Sequence, residues 1–376
     1  MLEFVEERMK APEIKVFGMG GAGGNAVTRM VEQTLRGVDL IAVNTDIQDL
    51  MGCSAPKKLQ IGMELTKGMG SGGLPEVGRQ AAEEDTDKIA EVLDGADMVF
   101  ITAGMGGGTG TGASPVVARI AKESGALTVA IVTKPFEFEG KRRMSFALKG
   151  IDDLRREVDT VICISNQKLL ATVGQDTPIG EAFRIADQVL YHATRGISDL
   201  ITEPGLVNLD FADVRSVMLE GSDAFMGTGT GSGENRARQA AEQAIACPLL
   251  EDISVRGAKG LLVNITGGRD LTLFEASDAA TAIKEATGNE ANVLWGVMVN
   301  EETDGDVRVT VIATGINHSL NSEGLAEIPS FTREDLDRPT FKRRIPLEED
   351  RTPPNWIPLD PEDLETPAFI RKRNGA

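Results

Sequence analysis

Nine residues, GMGGGTGTG from Gly104 to Gly112, constrain this chain more than any other segment, because six of them are glycine. A tight turn needs only one or two glycines, which adopt left-handed backbone angles without strain. The run follows the β-rich segment MVFITA and precedes a helix that we expect to begin near Ser114 and Pro115. Doubly wound sheets bind ligands at such strand ends, so this run predicts a binding loop.

Phosphate is the ligand that the run suits best. A backbone without Cβ atoms turns its N–H groups toward an anion, and the positive end of the following helix adds to the attraction. Thr109 and Thr111 supply hydroxyl donors. The predicted phosphate-binding residues are Gly106, Gly107, Gly108, Thr109, Gly110, Thr111 and Gly112.

Two further glycine clusters, Gly18–Asn25 and Gly68–Gly73, occur in the same half of the chain. The first contains G-x-G-x-x-G, which alone would predict a dinucleotide site and an NAD-dependent dehydrogenase. That alternative requires an acidic residue at the end of the second strand, where the chain has Asn44. Several loops that converge on one polyphosphate explain the clusters better. A Walker P-loop is excluded because no G-x-x-x-x-G-K-[ST] is present.

A fourth run, GTGTGSG from Gly227 to Gly233, repeats the same letters in the second half. We expect it to connect two helices, without a binding role.

The net charge and the cysteine content exclude several kinds of partner and of stabilising site. The net charge of −19 opposes binding to nucleic acid and to anionic membranes, so neither is an expected partner. Cys53, Cys163 and Cys247 are odd in number and form no CxxC pair, which indicates buried free thiols rather than a disulfide framework or a zinc site. The chain shows neither a signal peptide nor a long apolar run, so we expect a cytoplasmic protein that does not insert into membranes.

Short β-rich runs alternate with helical ones, which predicts a parallel sheet covered by helices on both faces. An amphipathic helix is expected over 179–201, with Phe183, Ala186, Leu190, Ala193, Ile197 and Leu200 on one stripe. Beyond Asp213, helices and strands mix in a second, smaller unit. The predicted fold class is therefore α/β, with a parallel-sheet domain joined by a long central helix to an α+β domain.

The last part of the chain differs from the body, because eight of the 16 prolines fall within 329–376. Its many charges and its lack of sustained periodicity predict a disordered linker. The final segment LETPAFIRKR places Phe369 and Ile370 beside three basic residues, which is typical of a docking peptide.

GGGTGTG, GMGGAGGNAV, GLVNLDFADV and the tail LETPAFIRKR together closely resemble the FtsZ family, the bacterial relatives of tubulin. The resemblance implies a GTPase that binds GTP or GDP with Mg²⁺. It also implies head-to-tail polymerisation into the cytoplasmic ring that divides the cell at its middle, and tail peptide binding to membrane tethers and regulatory division proteins through 361–373. The implied organisation is a flexible segment 1–11, a GTP-binding domain 12–178, a central helix 179–203, an activation domain 204–316, a linker 317–360 and a docking peptide 361–376.

The resemblance also assigns nucleotide contacts. The chain departs from the family pattern at two places near these contacts. The family has a proline and an acidic residue where this chain has Ser165 and Gln167, and a more polar run where this chain has YHATRG after Leu190. Guanine suits these residue types, since it offers donors to a carboxylate and a face to an aromatic ring. The matching positions are Gly21, Ala22, Gly23, Gly24 and Asn25 in the first loop, Glu139 and Arg143 for ribose and phosphates, and Asn166, Phe183 and Asp187 for guanine.

Asp210 and Asp213 stand three apart at the start of a predicted helix. From the residues alone, helix capping is the favoured interpretation, because an N-cap aspartate satisfies free N–H groups. Hydrolysis, however, requires groups that orient water, and the glycine loops contain no general base. The resemblance implies that this pair enters the neighbouring subunit's nucleotide site. A nonhydrolysing structural filament, in which the pair serves only as caps, is the remaining alternative.

Overall fold

The computed structural model describes residues 11–170, 176–203, 205–207, 209–247, 257–288, 291–300 and 305–316. These residues belong to one compact unit that extends to His318. The predicted disordered linker and docking peptide lie outside the described residues.

Ten strands in the described residues form a single sheet. Their bounds are β1 Ile14–Met19, β2 Val38–Asn44, β3 Lys57–Gln60, β4 Met98–Gly104, β5 Leu127–Lys134, β6 Thr160–Ser165, β7 Asp223–Ser232, β8 Gly260–Gly267, β9 Asn292–Val299 and β10 Asp306–Thr314. The order across the sheet is β3-β2-β1-β4-β5-β6-β7-β10-β8-β9. The strands β1 to β6 pair in parallel, whereas β10 runs antiparallel to β7 and β8. The predicted parallel sheet is confirmed.

Helices cover both faces of this sheet. Their bounds are α1 Gly20–Glu32, α2 Ile47–Gly52, α3 Met63–Thr66, α4 Pro75–Glu84, α5 Thr86–Leu93, α6 Thr109–Glu123, α7 Lys141–Glu157, α8 Asn166–Leu169, α9 Ile179–Thr202, α10 Phe211–Met218, α11 Arg236–Ile245 and α12 Leu273–Thr287. Among the helices described, none is both long and apolar enough to span a bilayer.

Three apolar cores hold these layers together. One lies between the sheet and α1, α9 and α10, and a second packs α4 to α7 against the opposite face. The third joins α11 and α12 to β8, β9 and β10. Because apolar burial is the main stabilising term in folding, the sheet stays covered on both sides.

The long helix α9 agrees with its predicted stripe except at one position. Ala186, Leu190, Ala193 and Ile197 are buried, as the 3.6-residue period requires. Phe183 is 40% exposed instead, because it lies at the end of the sheet that carries the glycine loops.

Parts of two predicted glycine loops form the first turns of helices. The helix α6 begins at Thr109 rather than near Ser114, and α1 begins at Gly20 rather than after the loop. Glycine and threonine are poor helix formers, so their propensity pointed to irregular structure. Tertiary packing overrides that propensity here.

The expected helix connector at Gly227–Gly233 is wrong, because most of it belongs to β7. The strand pairs with β10, with Thr228 opposite Thr310 and Gly229 opposite Val309. A Cβ atom on Gly229 would collide with the Ala240 carbonyl of α11. Glycine is therefore required by the close approach of a helix to this strand.

The two halves of the chain share the sheet through a short junction. Only two residue pairs join β6 to β7 in register, Val161 with Asp223 and Ile162 with Ala224. Arg155 of α7 adds an ion pair, with its Nε 2.9 Å from Asp223 Oδ1. The Thr160 hydroxyl also donates to the Met218 carbonyl at the end of α10. The junction thus fixes α10 at the amino end of β6.

All three cysteines are free, as expected. Only Cys53 is buried, whereas Cys163 and Cys247 are partly exposed, so the expectation of three buried thiols is wrong for two of them.

Candidate nucleotide site

The three amino-terminal glycine clusters lie together at the carboxyl ends of β1, β2, β3 and β4. The first cluster is Gly18–Asn25, the second is Gly104–Gly112 and the third is Gly68–Gly73. A Cβ atom on Gly20 would stand 2.9 Å from the Gly110 nitrogen, so the first and second clusters touch. Asp46 forms an isolated bridge with Met69, which ties the end of β2 to the third cluster. The loops therefore converge on one place, as the clusters predicted.

Some glycines of GMGGGTGTG are required by packing, because a side chain there would collide with a neighbouring residue. A Cβ atom on Gly112 would collide with the Pro75 carbonyl of α4, and one on Gly108 would collide with the Ser71 hydroxyl. A Cβ atom on Gly110 would stand 3.0 Å from the Met19 carbonyl oxygen. These glycines allow the start of α6 to lie directly against α4 and the first cluster.

Other glycines in these clusters are not required by packing within the chain. Gly107 faces open space, with no protein atom within 4 Å of a built Cβ, and its φ is not positive. Gly24 meets only the Cys53 sulfur at 3.8 Å, and Gly21 only Asp49 Oδ2 at 3.2 Å. Glycine costs about 1 kcal/mol relative to alanine inside a helix such as α1. A ligand that needs the space of the missing Cβ atoms explains these positions, and phosphate fits it.

The threonines of the second cluster make different contacts. The Gly106 N–H donates to Thr111 Oγ1 at 2.8 Å, so the Thr111 hydroxyl closes the loop. Thr109 Oγ1 lies 2.7 Å from Thr45 Oγ1 and 3.1 Å from Ser71 Oγ. Sequence reasoning missed both partners, although Thr45 directly follows β2 and Ser71 lies within the glycine cluster Gly68–Gly73.

Glu139 and Arg143 lie beside the second cluster. Arg143 Nη1 is 2.9 Å from Glu139 Oε2, and Glu139 Oε1 accepts from the Phe136 N–H at 2.8 Å. A Cβ atom on Gly106 would approach the Arg143 carbonyl oxygen to 2.7 Å. The pair is thus held after β5, next to the loop, where half-exposed Arg143 is available to an anion.

The predicted guanine residues lie farther along the same edge of the sheet. Phe183 packs edge-on against Phe136 with ring centroids 5.4 Å apart, and Asp187 follows one turn later on α9. Asn166 begins α8 directly after β6 and is buried. Its Oδ1 is one of two buried side-chain atoms in the described residues that have no hydrogen-bond partner. Because buried polar atoms are normally paired, this amide fits a contact with a bound base.

Asp187 carries an unusual proton affinity. Burial disfavours its charged form and raises its pKa to about 7, although nearby Arg29 partly offsets the shift. A guanine edge would supply two N–H donors to the ionised carboxylate, so binding would favour the loss of this proton.

The comparisons with known proteins agree with this geometry. The sequence model of the Tubulin/FtsZ family GTPase domain matches residues 13–174, and that of the FtsZ family C-terminal domain matches residues 222–317. The cell division protein FtsZ of Coxiella burnetii is 49% identical and that of Pseudomonas aeruginosa 48%, with at least 99% of each chain covered. A solved FtsZ dimer from M. jannaschii superposes with a TM-score of 0.79 at 44% identity, covering 83% of this chain and 90% of that one.

The chain belongs to the FtsZ family. It is a GTPase with the tubulin/FtsZ fold, and the alternative of an NAD-dependent dehydrogenase finds no support. The G-x-G-x-x-G of the first cluster thus lies within an FtsZ GTPase domain rather than in a dinucleotide fold.

The paired aspartates lie at the opposite end of the sheet from the glycine loops. Gly37, just before β2, approaches Thr202 at the end of α9, whereas Phe183 near its start contacts the loop after β5. With 24 residues, α9 is about 36 Å long. Asp210 and Asp213 follow that helix, so they do not reach the phosphate loops of their own chain.

Asp210 caps α10. Its Oδ1 accepts from the Asp213 N–H at 2.7 Å, which is the contact that the capping interpretation predicted. Asp210 is exposed and Asp213 is partly exposed, so both carboxylates border solvent.

Metal ligands are sparse across the ranges that the structure covers, where no group of three His, Cys, Asp or Glu side chains is arranged to hold an ion. The oxygens of a bound triphosphate would supply most ligands to Mg²⁺, which commonly keeps several waters.

Proposed function

We propose that this FtsZ-family GTPase assembles head to tail, and that each GTP is hydrolysed between two subunits. The observation that carries the proposal is the separation along α9 between the nucleotide loops and the aspartate pair. Because the roughly 36 Å length of α9 separates the loops at its start from the acidic pair beyond its end, a second copy is needed to complete the site. The M. jannaschii relative was solved as a dimer, which supports self-association.

We assign the residue roles from the family resemblance, and the geometry described above supports them. The glycine clusters and Thr109 bind phosphates, Glu139 and Arg143 border the ribose and phosphates, and guanine contacts Asn166, Phe183 and Asp187. Asp210 and Asp213 of the next subunit orient and polarise the attacking water. Mg²⁺ accompanies the triphosphate and neutralises its charge, as in other phosphoryl-transfer enzymes.

We further propose that the protein works in the cytoplasm, at a mid-cell division ring. The curated relatives are named cell division proteins, which supports that role. The segment 361–373 would dock on membrane tethers and regulatory division proteins, so the chain reaches the membrane through a partner.

The decisive experiment distinguishes the negative charge of Asp210 from its hydrogen bond as the N-cap of α10. Asparagine caps helices as well as aspartate does, so Asp210→Asn retains α10 but removes the carboxylate. We expect unchanged thermal stability and GTP binding, with hydrolysis slowed by about 100-fold, the typical effect of losing a preorganised catalytic group. Normal hydrolysis by this variant would leave the pair as caps only.

A mixing experiment tests whether the site is shared. Asp187→Ala should bind GTP poorly, whereas Asp210→Asn should bind GTP without hydrolysing it. Combined, the first variant supplies intact aspartates to the nucleotide held by the second, so hydrolysis should recover. If the mixture stays as inactive as its components while wild-type protein hydrolyses GTP, the shared site is refuted.

A further inference from the structure

A side-chain hydrogen bond joins two loops at the guanine end of the candidate site. Gln167 is the second residue of α8, and its Oε1 accepts from the Glu137 N–H at 3.2 Å. Glu137 begins a short 3-10 turn, Glu137–Glu139, in the loop after β5. The bond therefore connects positions that are 30 residues apart and that follow the neighbouring strands β5 and β6.

This bond satisfies a backbone donor at the start of the turn. The first N–H groups of a helical turn have no partner inside it. Within this turn the Glu139 N–H donates to the Phe136 carbonyl and the Gly140 N–H to the Glu137 carbonyl, each at 3.1 Å. The Glu137 N–H is left to a partner outside the turn, and Gln167 provides it. The position of the turn relative to α8 is thereby fixed.

The turn supports the aromatic ring that we assign to guanine. Phe136, which is buried, and Phe138 lie on either side of Glu137 in the chain, and their rings stack with centroids 5.1 Å apart. The Phe183 ring packs edge-on against both, at 5.4 Å from Phe136 and 6.5 Å from Phe138. Because such contacts favour one ring orientation, the placement of Phe183 depends on the turn.

The other end of the bond adjoins a second residue that we assign to guanine. Asn166 directly precedes Gln167 and is buried, and its Oδ1 has no hydrogen-bond partner in the described part of the chain. A shift of α8 relative to the turn would change the gap between the Asn166 amide and the Phe183 ring. A gap that is fixed before binding lowers the entropic cost of taking up a base.

Resting on the proposed function, we propose that Gln167 is a positioning residue for guanine: its hydrogen bond to Glu137 keeps the Asn166 amide and the Phe183 ring at the separation that the base fills. Gln167 acts through these two residues and not by contact with the nucleotide. Without the bond, the free protein samples other separations, and binding must then order the turn and α8.

The test compares two substitutions at Gln167. Gln167→Met keeps an unbranched side chain of similar length but removes the acceptor, whereas Gln167→Glu retains an acceptor oxygen at the same place. At protein concentrations where light scattering is absent, Gln167→Met should weaken GDP binding about fivefold, within the range that one hydrogen bond is worth. Gln167→Glu should bind GDP within about twofold of wild type. Gln80→Met on the exposed face of α4 is the matched control, because the Gln80 amide also makes a side-chain hydrogen bond, to Glu76.

Steady-state hydrolysis separates a positioning role from a general disturbance of the chain. At a fixed protein concentration where filaments form, Gln167→Met should raise KM for GTP about fivefold and leave kcat within about twofold of wild type. The reason is that the phosphate loops and the aspartate pair keep their contacts. A fall in kcat as large as the rise in KM would overturn the positioning role.

Hydrogen exchange at the Glu137 amide reports the bond itself. In nucleotide-free protein this amide should exchange faster in Gln167→Met than in wild type, and bound GDP should reduce the difference. Faster exchange with unchanged GDP affinity would overturn the inference, as would equal loss of affinity in Gln167→Met and Gln167→Glu. If wild-type protein bound neither GDP nor GTP, the proposed function itself would fail, whatever the Gln167 variants did.

Discussion

The pentapeptide GTGTG occurs twice in this chain, at 108–112 and at 227–231, and the two copies fold differently. The first opens the helix α6, and the second lies inside the strand β7. In both copies the glycines admit a neighbouring helix, α4 in the first case and α11 in the second. The first copy adjoins Gly107, which faces open space without a positive φ, whereas Gly233 near the second copy faces open space but has a φ of 75° that itself favours glycine. Because the two pentapeptides are identical, the binding role proposed for the first copy depends on the residues that surround it.

The largest effect is expected where glycine is needed for packing. Gly112→Ala and Gly231→Ala would each drive a Cβ atom into a backbone carbonyl, of Pro75 and Arg236 respectively. Both should lower the free energy of unfolding by about 3 kcal/mol or more, the upper range for overpacking. Denaturant unfolding of the nucleotide-free protein measures this. Gly180→Ala on α9 has free space and should be neutral or slightly stabilising. Unfolding of both packed variants at the wild-type midpoint would contradict the packing argument.

At Gly107 we expect a smaller effect, which falls on GTP affinity and not on the free energy of unfolding. Because no protein atom opposes a Cβ there, Gly107→Ala should leave unfolding unchanged. It should weaken GTP binding about tenfold, since a methyl group would hold phosphate oxygens away from the backbone donors. Equilibrium binding, with Gly180→Ala as the matched control, checks this. Full affinity in Gly107→Ala would remove the distinction between the two copies.

The two copies also differ in the ionisable groups near them. The second copy lines a cavity of about 230 Å³ beside His192, whose pKa burial, with Arg308 and Arg195, lowers to about 4. The site of the first copy contains Asp187, with its pKa raised to about 7 by burial. Between pH 8 and pH 6, His192 therefore stays neutral while Asp187 gains a proton.

GTP affinity should follow Asp187. In the proposed site guanine binds the ionised carboxylate, so protonation competes with binding, and affinity should fall about tenfold as the pH drops from 8 to 6. Asp187→Asn should bind more weakly and lose this dependence. Calorimetry or fluorescence titration at several pH values measures it, with Asp153→Asn on the exposed face of α7 as a control. A steep dependence that persists in Asp187→Asn would place the titrating group elsewhere.

Sequence reasoning predicted most of the fold, because the apolar strands and the stripe of α9 depend on periodicity that neighbouring residues share. It failed at GTGTG, where local propensity indicates irregular structure in both copies. The alternation of glycine with threonine in Gly229, Thr230 and Gly231 is a two-residue period, a strand signal that was available but weak. Nothing local marks Gly112 as helical, since its conformation depends on the distant Pro75.

The residues of the candidate site also divide into those that the sequence predicted and those that it did not. Its glycines and Asp187 were predicted from motif and resemblance, whereas Ser71 and Thr45 were not. These two residues reach Thr109 through contacts between positions that are 64 and 38 residues apart in the chain. Spacing along one chain does not encode such an arrangement.

The position of α9 has a consequence for the geometry of a filament. Nucleotide loops at one end and aspartates at the other give each subunit two unlike poles. Contacts between unlike surfaces do not close a pair by two-fold symmetry, so they continue from one subunit to the next. At one tip the last subunit offers a nucleotide that no neighbour has yet covered, and at the other it offers bare aspartates. A filament built this way has a direction, and its uncovered GTP outlasts the GTP in its interior.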